Sequence, residues 1–373
     1  MAEARHEEVP EGLDAEASPR VCVVGVGALG GVIAGGLLGA GFDVTLVDRG
    51  ERADHLRKRG LSVLDPEGER RTFSGVRVME RLAKAGPHDV IFLAVKAYDL
   101  EAVAPELPTA FAPDAVLVTL QNGIPWWYFQ NHGGLLEGRR LRTLDPEGVI
   151  ERHIDRDRII GCIPYPAAEL LPDGTVRHVE GSKLPVGELD GSISPRVRRV
   201  AALLESAGFR SRILDDLRSE TWLKAWGNLS FNPISALTGA TMEGLCRFAP
   251  TRRLAADMMR EAQEVAESLG AHFRVGIERR LEGGEAVGPH KTSMLQDLEA
   301  GHRLETDALI GSVVELAEIT GKPTPAIRSV DALMRLVEHT RSREGCRPGI
   351  PGARRAEELS EVNGDSAPPG RNV

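Results

Sequence analysis

The hydrophobic positions divide the chain into two parts with different periodicities. Before about residue 214, short continuous apolar runs, typical of buried strands, alternate with stretches of helical period. The predicted strands lie at residues 21–24, 42–47, 61–64, 71–78, 90–95 and 115–120, with further strands and turns within 149–163 and 176–189. The predicted helices lie at 31–40, 51–59, 79–84, 98–105 and 194–207. Strands that alternate with helices require right-handed crossovers. This pattern predicts an α/β fold with a doubly wound parallel sheet and helices on both faces.

After residue 214 the strand pattern disappears, and only helical periods remain. The predicted helices lie at residues 215–230, 233–245, 250–269, 276–284, 293–320 and 324–340. The two ends of the chain lack any hydrophobic period, and we expect them to be disordered. The predicted organisation is therefore a tail (1–19), a Rossmann-type dinucleotide-binding domain (20–214), an all-helical substrate and catalytic domain (215–340) and a second tail (341–373).

Composition narrows the class of protein. The chain has 373 residues, 42% of them hydrophobic, and a formal net charge of -9, which disfavours nucleic acid and anionic membrane surfaces as partners. Its four cysteines have no metal-ligand spacing, and its acidic N-terminus does not have the pattern of a signal peptide. We therefore expect a cytoplasmic protein without structural disulfides or a metal site, acting on a small molecule. A homodimer is a further possibility.

A glycine motif follows the first predicted strand. Residues 25–30 read Gly25, Val26, Gly27, Ala28, Leu29 and Gly30, which is GxGxxG at the start of a helix of small residues. The first glycine permits a tight turn, the second lets the backbone approach a pyrophosphate, and the third lets helix and strand pack closely. In this position the motif predicts a dinucleotide site that includes all six residues.

The residues after the second strand give conflicting signals about the dinucleotide. Asp48 stands where an acidic residue binds the ribose 2′-hydroxyl of NAD, whereas Arg49 and the nearby Arg52 could hold the 2′-phosphate of NADP. Each charge could equally be a solvated strand end. The residues alone therefore leave NAD and NADP both open, with Arg49 as the candidate ligand of a 2′-phosphate and Asp48 as the candidate ligand of an unmodified ribose.

Two further polar residues end predicted parallel strands. Lys96 and Asn122 follow the strands at 90–95 and 115–120, at the edge where open α/β sheets bind ligands. The alternative for Asn122 is a simple Asn-Gly turn with Gly123.

Lys224, Asn228 and Asn232 recur every fourth residue of a predicted helix. Each step of four turns the side chain by about 40°, so the three lie along one stripe. The surrounding bulk is apolar and includes Trp222, Trp226, Leu229 and Phe231. We interpret the stripe as the wall of a cleft that holds a polar substrate. Alternatively, the lysine reaches solvent and the asparagines only bond backbone groups.

The predicted helix at 293–320 begins with Ser293, which forms a capping-box pattern with Gln296. A capped helix start can also bind a carboxylate. Within the same predicted helix Glu305 is acidic, and a solvated face is the ordinary reading of such a residue. The chain contains no HExxH, GxSxG or P-loop pattern, which disfavours metalloproteases, serine hydrolases and kinases.

Taken together, these stretches resemble the ketopantoate reductase (2-dehydropantoate 2-reductase) family over about residues 21–339. The resemblance rests on blocks that occur in the family's order, at residues 25–30, 95–97, 121–123, 222–233 and 292–305. It implies NADP-dependent reduction of 2-dehydropantoate to pantoate, a step of pantothenate biosynthesis.

The resemblance also implies roles for individual residues. Lys224 matches the proton donor, and Asn228, Asn232 and Ser293 match substrate ligands. Lys96, Asn122 and Glu305 match residues that contact cofactor or substrate or complete the catalytic network, and Ala167 falls near a cofactor contact. Glu305 would hold Lys224 in place.

Some features depart from the family pattern. Met242 stands where the family often has a further asparagine, and residues 124–128 are unusually aromatic. These departures leave open a paralogue that acts on another 2-oxo or 3-hydroxy acid. A non-catalytic protein that senses NADP is a second alternative, disfavoured because Lys224, Asn122 and Glu305 are all present.

Overall fold

The computed structural model describes residues 18–344. Most of the two predicted disordered tails, residues 1–17 and 345–373, lies outside this range. The chain forms two compact units. Within the described residues, the first unit runs to Ala225 and also takes in Ala266–Phe273 and Asp307–Thr320, and the other described residues make up the second unit. The predicted boundary after residue 214 thus precedes the helix in which the units divide.

The first unit contains all the strands of the described chain. In order these are β1 (Val21–Val24), β2 (Val44–Val47), β3 (Leu61–Leu64), β4 (Arg70–Phe73), β5 (Arg77–Met79), β6 (His88–Leu93), β7 (Phe111–Thr119), β8 (Ile159–Cys162), β9 (Ala167–Leu170), β10 (Val176–Glu180) and β11 (Val186–Glu188). Seven of them form the main sheet in the order β11-β8-β7-β6-β1-β2-β5. All neighbours in it are parallel except β11 and β8. The predicted parallel sheet is confirmed.

Helices cover both faces of the main sheet. Those before the unit boundary are α1 (Ala28–Gly39), α2 (Gly50–Arg59), α3 (Leu100–Val103), α4 (Val149–His153) and α5 (Pro195–Ser206). Buried residues of β1 alternate between two apolar clusters: one includes α1 and α5, and the other includes α3 and α4. This alternation is the period of a strand that is buried on both sides, as the continuous apolar runs predicted.

A second, four-stranded sheet has the order β4-β3-β10-β9 and packs against α1. Glycines on α1 permit this packing, because a Cβ added at Gly31 would lie 2.5 Å from Val176 Cγ2, and one added at Gly35 would lie 2.7 Å from Val63 Cγ2. The small-residue character of the predicted helix therefore serves the contact with this sheet as well as the contact with β1.

Two predicted strands of the first half are wrong in extent. Residues 149–163 contain α4 before β8 begins, because the Asp145 carboxylate accepts the N–H groups of Ile150 and Glu151 at 3.1 and 3.0 Å and starts a helix there. The stretch at 71–78 is divided between β4 and β5, which lie in different sheets, by a turn at Gly75 with φ of 72°.

From Leu217 onward the described chain contains only helices and turns, which confirms the predicted helical second half. The helices are α6 (Leu217–Thr238), α7 (Met242–Arg247), α8 (Ala249–Ser268), α9 (Ile277–Ala286), α10 (Ser293–Glu299), α11 (Ser312–Thr320), which follows a π-helical turn at Asp307–Gly311, and α12 (Pro325–Glu344). The last helix extends beyond the predicted limit at residue 340. Within the described residues, no helix combines the length and apolarity needed to cross a bilayer.

Two helix predictions in the second half need correction. The predicted separation into helices at 215–230 and 233–245 is wrong, because α6 continues through Pro233 to Thr238 with Phe231, Ile234 and Ala236 buried. Burial of this apolar face outweighs the loss of the one backbone hydrogen bond that proline cannot donate. The predicted single helix at 293–320 is also wrong, because α10 ends before Gly301, whose φ of 78° cannot continue a right-handed helix.

Candidate active site

The glycine loop after β1 has the geometry that a dinucleotide requires. A Cβ added at Gly25, whose φ is 87°, would lie 2.8 Å from Val95 N, and one added at Gly30 would lie 1.9 Å from Gly25 O. These two glycines are therefore required by close packing. A Cβ added at Gly27 would meet nothing within 4 Å, so the loop has open space where a pyrophosphate would approach.

The start of α1 supplies donors toward that open space. Gly27 is the N-cap, α1 begins at Ala28 and Leu29 is in its first turn. In the described chain no side chain caps this helix start, and its first turn carries no acidic residue. The first N–H groups of an α-helix lack intrahelical partners and attract anions. The residues present therefore fit the phosphates of a dinucleotide.

Asp48 and the two neighbouring arginines surround the same loop. The Asp48 carboxylate accepts the N–H of Val26 at 2.6 Å and that of Arg49 at 2.8 Å. The exposed Arg49 guanidinium donates to Asp99 at 2.7 Å. Arg52 donates to the carbonyls of Val26 (2.8 Å) and Gly174 (2.7 Å), and burial lowers the pKa of its guanidinium. Arg52 thus braces the loop, whereas Asp48 and Arg49 remain candidates for contact with an adenosine ribose.

The carboxyl ends of neighbouring strands bring further predicted residues to one edge of the main sheet. Lys96 follows β6 and caps a short 3-10 turn, and Asn122 follows β7. Between them, Gln121 Nε2 donates to the carbonyls of Leu93 (2.9 Å) and Val95 (3.2 Å), which ties the ends of β6 and β7 together.

Lys224 of α6 reaches this edge. Its Nζ donates to Asn122 Oδ1 at 2.7 Å and to the carbonyl of Pro164, which follows β8. The ring of Tyr165 lies with its centroid 6.0 Å from the same Nζ. The nearby Cys162 is buried, which raises the pKa of its thiol to about 12 despite the charge of Lys224. The structure therefore places an ammonium group among oxygen acceptors at the end of two parallel strands.

The pattern of burial along α6 singles out two of the three residues of the predicted stripe. From Thr221 to Ala236 every residue is buried except Lys224 and Asn228, which are half-exposed. Asn232 is buried, and its Nδ2 donates to Ser293 Oγ at 3.4 Å. Lys224 belongs to the first unit, whereas Asn228, Asn232 and Ser293 belong to the second.

Ser293 is not the N-cap that the sequence pattern predicts. The cap of α10 is Thr292, whose Oγ1 accepts the N–H of Leu295 at 3.3 Å. Gln296 does not reach back to complete a capping box with Ser293, since its Nε2 donates to the carbonyl of Lys291 at 3.1 Å. The Ser293 hydroxyl is therefore released from capping and lies in the first turn of α10, within reach of Asn232.

Other predicted residues take the following places. Glu305 is buried just before the π-helical turn and outside α10, so it does not share a helix with Ser293. Ala167 begins β9 and pairs with Glu180 in the second sheet. Met242 is buried as the first residue of α7, and its N–H donates to the carbonyl of His290 at 2.9 Å.

The aromatic segment is part of the core. Trp126 and Trp127 belong to one apolar cluster of the first unit, and Trp127 Nε1 donates to Thr119 at 2.9 Å. Tyr128 is also buried, and its hydroxyl accepts from Trp222 Nε1 at 2.8 Å. Packing in the core thus explains the unusually aromatic composition of residues 124–128.

Sequence reasoning missed the surroundings of Lys224. The acceptor at Pro164 is a backbone carbonyl and carries no residue-type signal, and Tyr165 belongs to no motif. Glu220, which accepts a hydrogen bond from Tyr165, precedes Lys224 by one helical turn. The four-residue spacing that identified the stripe would have found Glu220 had it been followed toward the N-terminus.

Comparison with known proteins gives a consistent result. Residues 21–191 match the family model described as ketopantoate reductase PanE/ApbA, and residues 216–338 match the model of its C-terminal part. The 2-dehydropantoate 2-reductase of Mesorhizobium japonicum is 43% identical over 88% of this chain and 99% of its own length.

Solved structures share the fold over similar lengths. A protein of Ralstonia solanacearum MolK2, provisionally assigned as a ketopantoate reductase, is 35% identical with a TM-score of 0.82 over 87% of this chain and 98% of its own. D-mandelate dehydrogenase, solved with NADH and anilino(oxo)acetate, is 19% identical with a TM-score of 0.74 over 86% of this chain and 99% of its own. At that identity the likeness concerns the fold alone.

Proposed function

Because the chain belongs to the ketopantoate reductase family, we propose that it reduces 2-dehydropantoate to pantoate with a nicotinamide dinucleotide. The observation that carries this proposal is the placement of Lys224 Nζ beside Asn122 and Pro164, at the sheet edge that also holds the glycine loop. A cationic proton donor at the nucleotide-binding edge is what carbonyl reduction requires.

The chemistry follows from where charge develops. When bound, the reduced nicotinamide supplies a hydride to the 2-oxo carbon. Negative charge then accumulates on the former carbonyl oxygen, and the Lys224 ammonium stabilises it by hydrogen bonding and transfers a proton to it. Asn122 and the Pro164 carbonyl orient the ammonium by accepting two of its hydrogen bonds. Solvent then restores the proton to Lys224.

The remaining residues of the stripe bind substrate in this proposal. Asn228 is the half-exposed residue one turn beyond Lys224, and its amide can bond a polar group of the substrate. Asn232 and Ser293 form a hydrogen-bonded pair suited to a carboxylate or hydroxyl. In this proposal Glu305 belongs to the catalytic network, Lys96 contacts the dinucleotide, and Ala167 lies near the dinucleotide.

The choice of dinucleotide depends on two adjacent residues. Asp48 can accept the hydroxyls of an unmodified ribose and repels a 2′-phosphate, whereas Arg49 can attract that phosphate if it leaves Asp99. We assign NADPH as the cofactor on the strength of Arg49, with NADH accepted because of Asp48.

Turnover assays test the function. Oxidation of NADPH and NADH is followed with 2-dehydropantoate, with its analogue 3,3-dimethyl-2-oxobutanoate, which lacks the terminal hydroxyl, and with other 2-oxo acids including phenylglyoxylate. We expect the highest kcat/KM with 2-dehydropantoate and a loss with the analogue, because a site that bonds a hydroxyl is left with unpaired polar groups when the hydroxyl is missing.

Other outcomes would assign a different role. Turnover of another acid but not of 2-dehydropantoate would indicate a paralogue, a reading that Met242 leaves open and that burial of the aromatic segment no longer favours. Tight binding of dinucleotide without turnover of any acid would indicate a sensor and would contradict the proposed reaction.

A further inference from the structure

Tyr165 connects the Pro164 carbonyl to α6. Its phenolic O–H donates to Glu220 Oε1 at 2.5 Å, and its backbone N–H donates to the carbonyl of Lys183 at 3.0 Å. Tyr165 is therefore held both at its backbone and at its hydroxyl, and the centroid of its ring lies 6.0 Å from Lys224 Nζ. The peptide that Tyr165 shares with Pro164 carries the carbonyl that accepts from Lys224.

Glu220 is a buried carboxylate on the same face of α6 as Lys224. Its side chain is 5% exposed, and it precedes Lys224 by four residues, which places neighbouring side chains one turn apart. Arg212 lies 3.5 Å from the second Glu220 oxygen and is largely exposed. The carboxylate thus has the Tyr165 hydroxyl on one oxygen and a solvent-screened cation on the other.

We propose that Tyr165 and Glu220 are positioning residues for Lys224: together they fix its ammonium at the sheet edge and keep it protonated. The proposal rests on the proposed function only in taking Lys224 as the proton donor. Hydrogen bonds from Lys224 to Pro164 and from Tyr165 to Glu220 connect α6 with the segment after β8. Breaking the hydrogen bond between Tyr165 and Glu220 would leave the Pro164 carbonyl less firmly positioned.

Both groups favour the cation electrostatically. The face of an aromatic ring attracts an ammonium, and a carboxylate one turn away does so more strongly. Within the first unit Cys162 also lies near Lys224, and burial raises its thiol pKa to about 12, while Arg212 contacts Glu220. The thiol stays neutral near neutral pH, so it does not oppose the effect of the Glu220 carboxylate on the Lys224 cation.

The test compares four variants in the full-length protein. Tyr165→Phe keeps the ring and removes the bond to Glu220, Tyr165→Leu removes both, and Glu220→Gln keeps an acceptor for the phenol but removes the charge. Tyr128→Phe is the matched control, because it also removes a phenol hydrogen bond to α6, in this case to Trp222. The readouts are the pH profile of kcat and the pH titration of the Lys224 Nζ resonance in lysine labelled with nitrogen-15.

We expect Glu220→Gln to move both the alkaline limb of kcat and the Nζ titration about one pH unit toward neutral. Tyr165→Leu should shift them in the same direction and lower kcat about tenfold or more, with a smaller change in KM, since a misplaced proton donor loses transition-state stabilisation. Tyr165→Phe should lower kcat with a smaller shift. Tyr128→Phe should leave both profiles as in the wild-type protein.

An unchanged pH profile and an unchanged Nζ titration in both Glu220→Gln and Tyr165→Phe would overturn the proposal. These two conservative variants decide the matter if Tyr165→Leu does not fold, as judged by circular dichroism. The Nζ titration needs no substrate. If no acid is turned over, the proposed function fails while the titration still tests whether Tyr165 and Glu220 act on Lys224.

Discussion

At the scale of single residues, the proposed function depends on the Lys224 ammonium being held in a defined place. Lys224 donates to an amide oxygen and to a backbone carbonyl, and neither acceptor can take its proton at neutral pH. Such acceptors orient an ammonium without neutralising it. In the proposed reaction, the developing alkoxide of the substrate is the group that takes the proton.

We expect Lys224→Met to lower kcat by roughly 10²–10⁴-fold, the usual contribution of a general acid, with little change in dinucleotide affinity. Stopped-flow reduction of 2-dehydropantoate measures the first quantity and fluorescence titration with the reduced dinucleotide the second. Lys58→Met, an exposed lysine on α2, is the control. A kcat within threefold of wild type would remove Lys224 from the reaction.

Asp48 and Arg49 should affect the two dinucleotides in opposite directions. We expect Asp48→Ser to favour NADPH over NADH by about tenfold or more, because a charge-assisted hydrogen bond contributes about 1.5–3 kcal/mol. Arg49→Ala should weaken NADPH alone. Calorimetric titration with 2′,5′-ADP and with 5′-ADP isolates the effect of the 2′-phosphate from catalysis. Equal losses for both nucleotides would show that neither residue discriminates between them.

At the scale of elements, local signals were sufficient where they agreed with packing. The GxGxxG turn, the buried strands and the four-residue stripe follow from residue type and period, and the structure contains these elements in their predicted order. Predictions failed where a local rule competed with a contact that period does not show. Pro233 does not end α6 because that stretch of the helix is buried, and α4 forms because the Asp145 carboxylate, four residues before the helix, accepts its first N–H groups.

The placement of individual side chains was harder to predict than the elements that carry them. Ser293 and Thr292 both fit an N-cap, and only the observed contact with Leu295 identifies Thr292 as the cap. Likewise, the carbonyl of Pro164 near Lys224 follows from the path of the chain after β8, which no motif encodes. Contacts made by backbone atoms have no residue-type signal.

Thr292 and Ser293 should therefore separate stability from substrate binding. We expect Thr292→Ala to cost α10 about 1 kcal/mol of local stability, which accelerates amide exchange at Leu295 about fivefold. Ser293→Ala should leave that exchange rate nearly unchanged and instead raise KM for 2-dehydropantoate. Hydrogen exchange and steady-state kinetics on both variants provide the measurement. If Ser293→Ala accelerates exchange and Thr292→Ala does not, the assignment of the cap is wrong.

At the scale of the whole molecule, acid should destabilise the fold in two stages. His88 is buried at the start of β6, and this burial lowers its pKa below the usual 6.5. The unfolded chain then binds a proton that the folded chain does not, so stability falls as pH decreases below about 6.5. Two carboxylates have lowered pKa values: Asp89, which is hydrogen-bonded to Arg20, and Glu137, which accepts the backbone N–H groups of Asn131 and Gly133. Their stabilising effect is lost at a lower pH than that of His88.

We therefore expect a thermal midpoint that is constant above about pH 7, declines gradually below pH 6.5 and falls steeply below about pH 4.5, where unfolded carboxylates take up protons. Calorimetry across this range measures the curve. His88→Gln should flatten the first decline, because no histidine then charges on unfolding at that site, and Glu137→Gln should lessen only the second. A first decline that persists in His88→Gln would assign it to other groups, and a stability that rises between pH 6.5 and pH 5 would contradict the burial of a neutral His88.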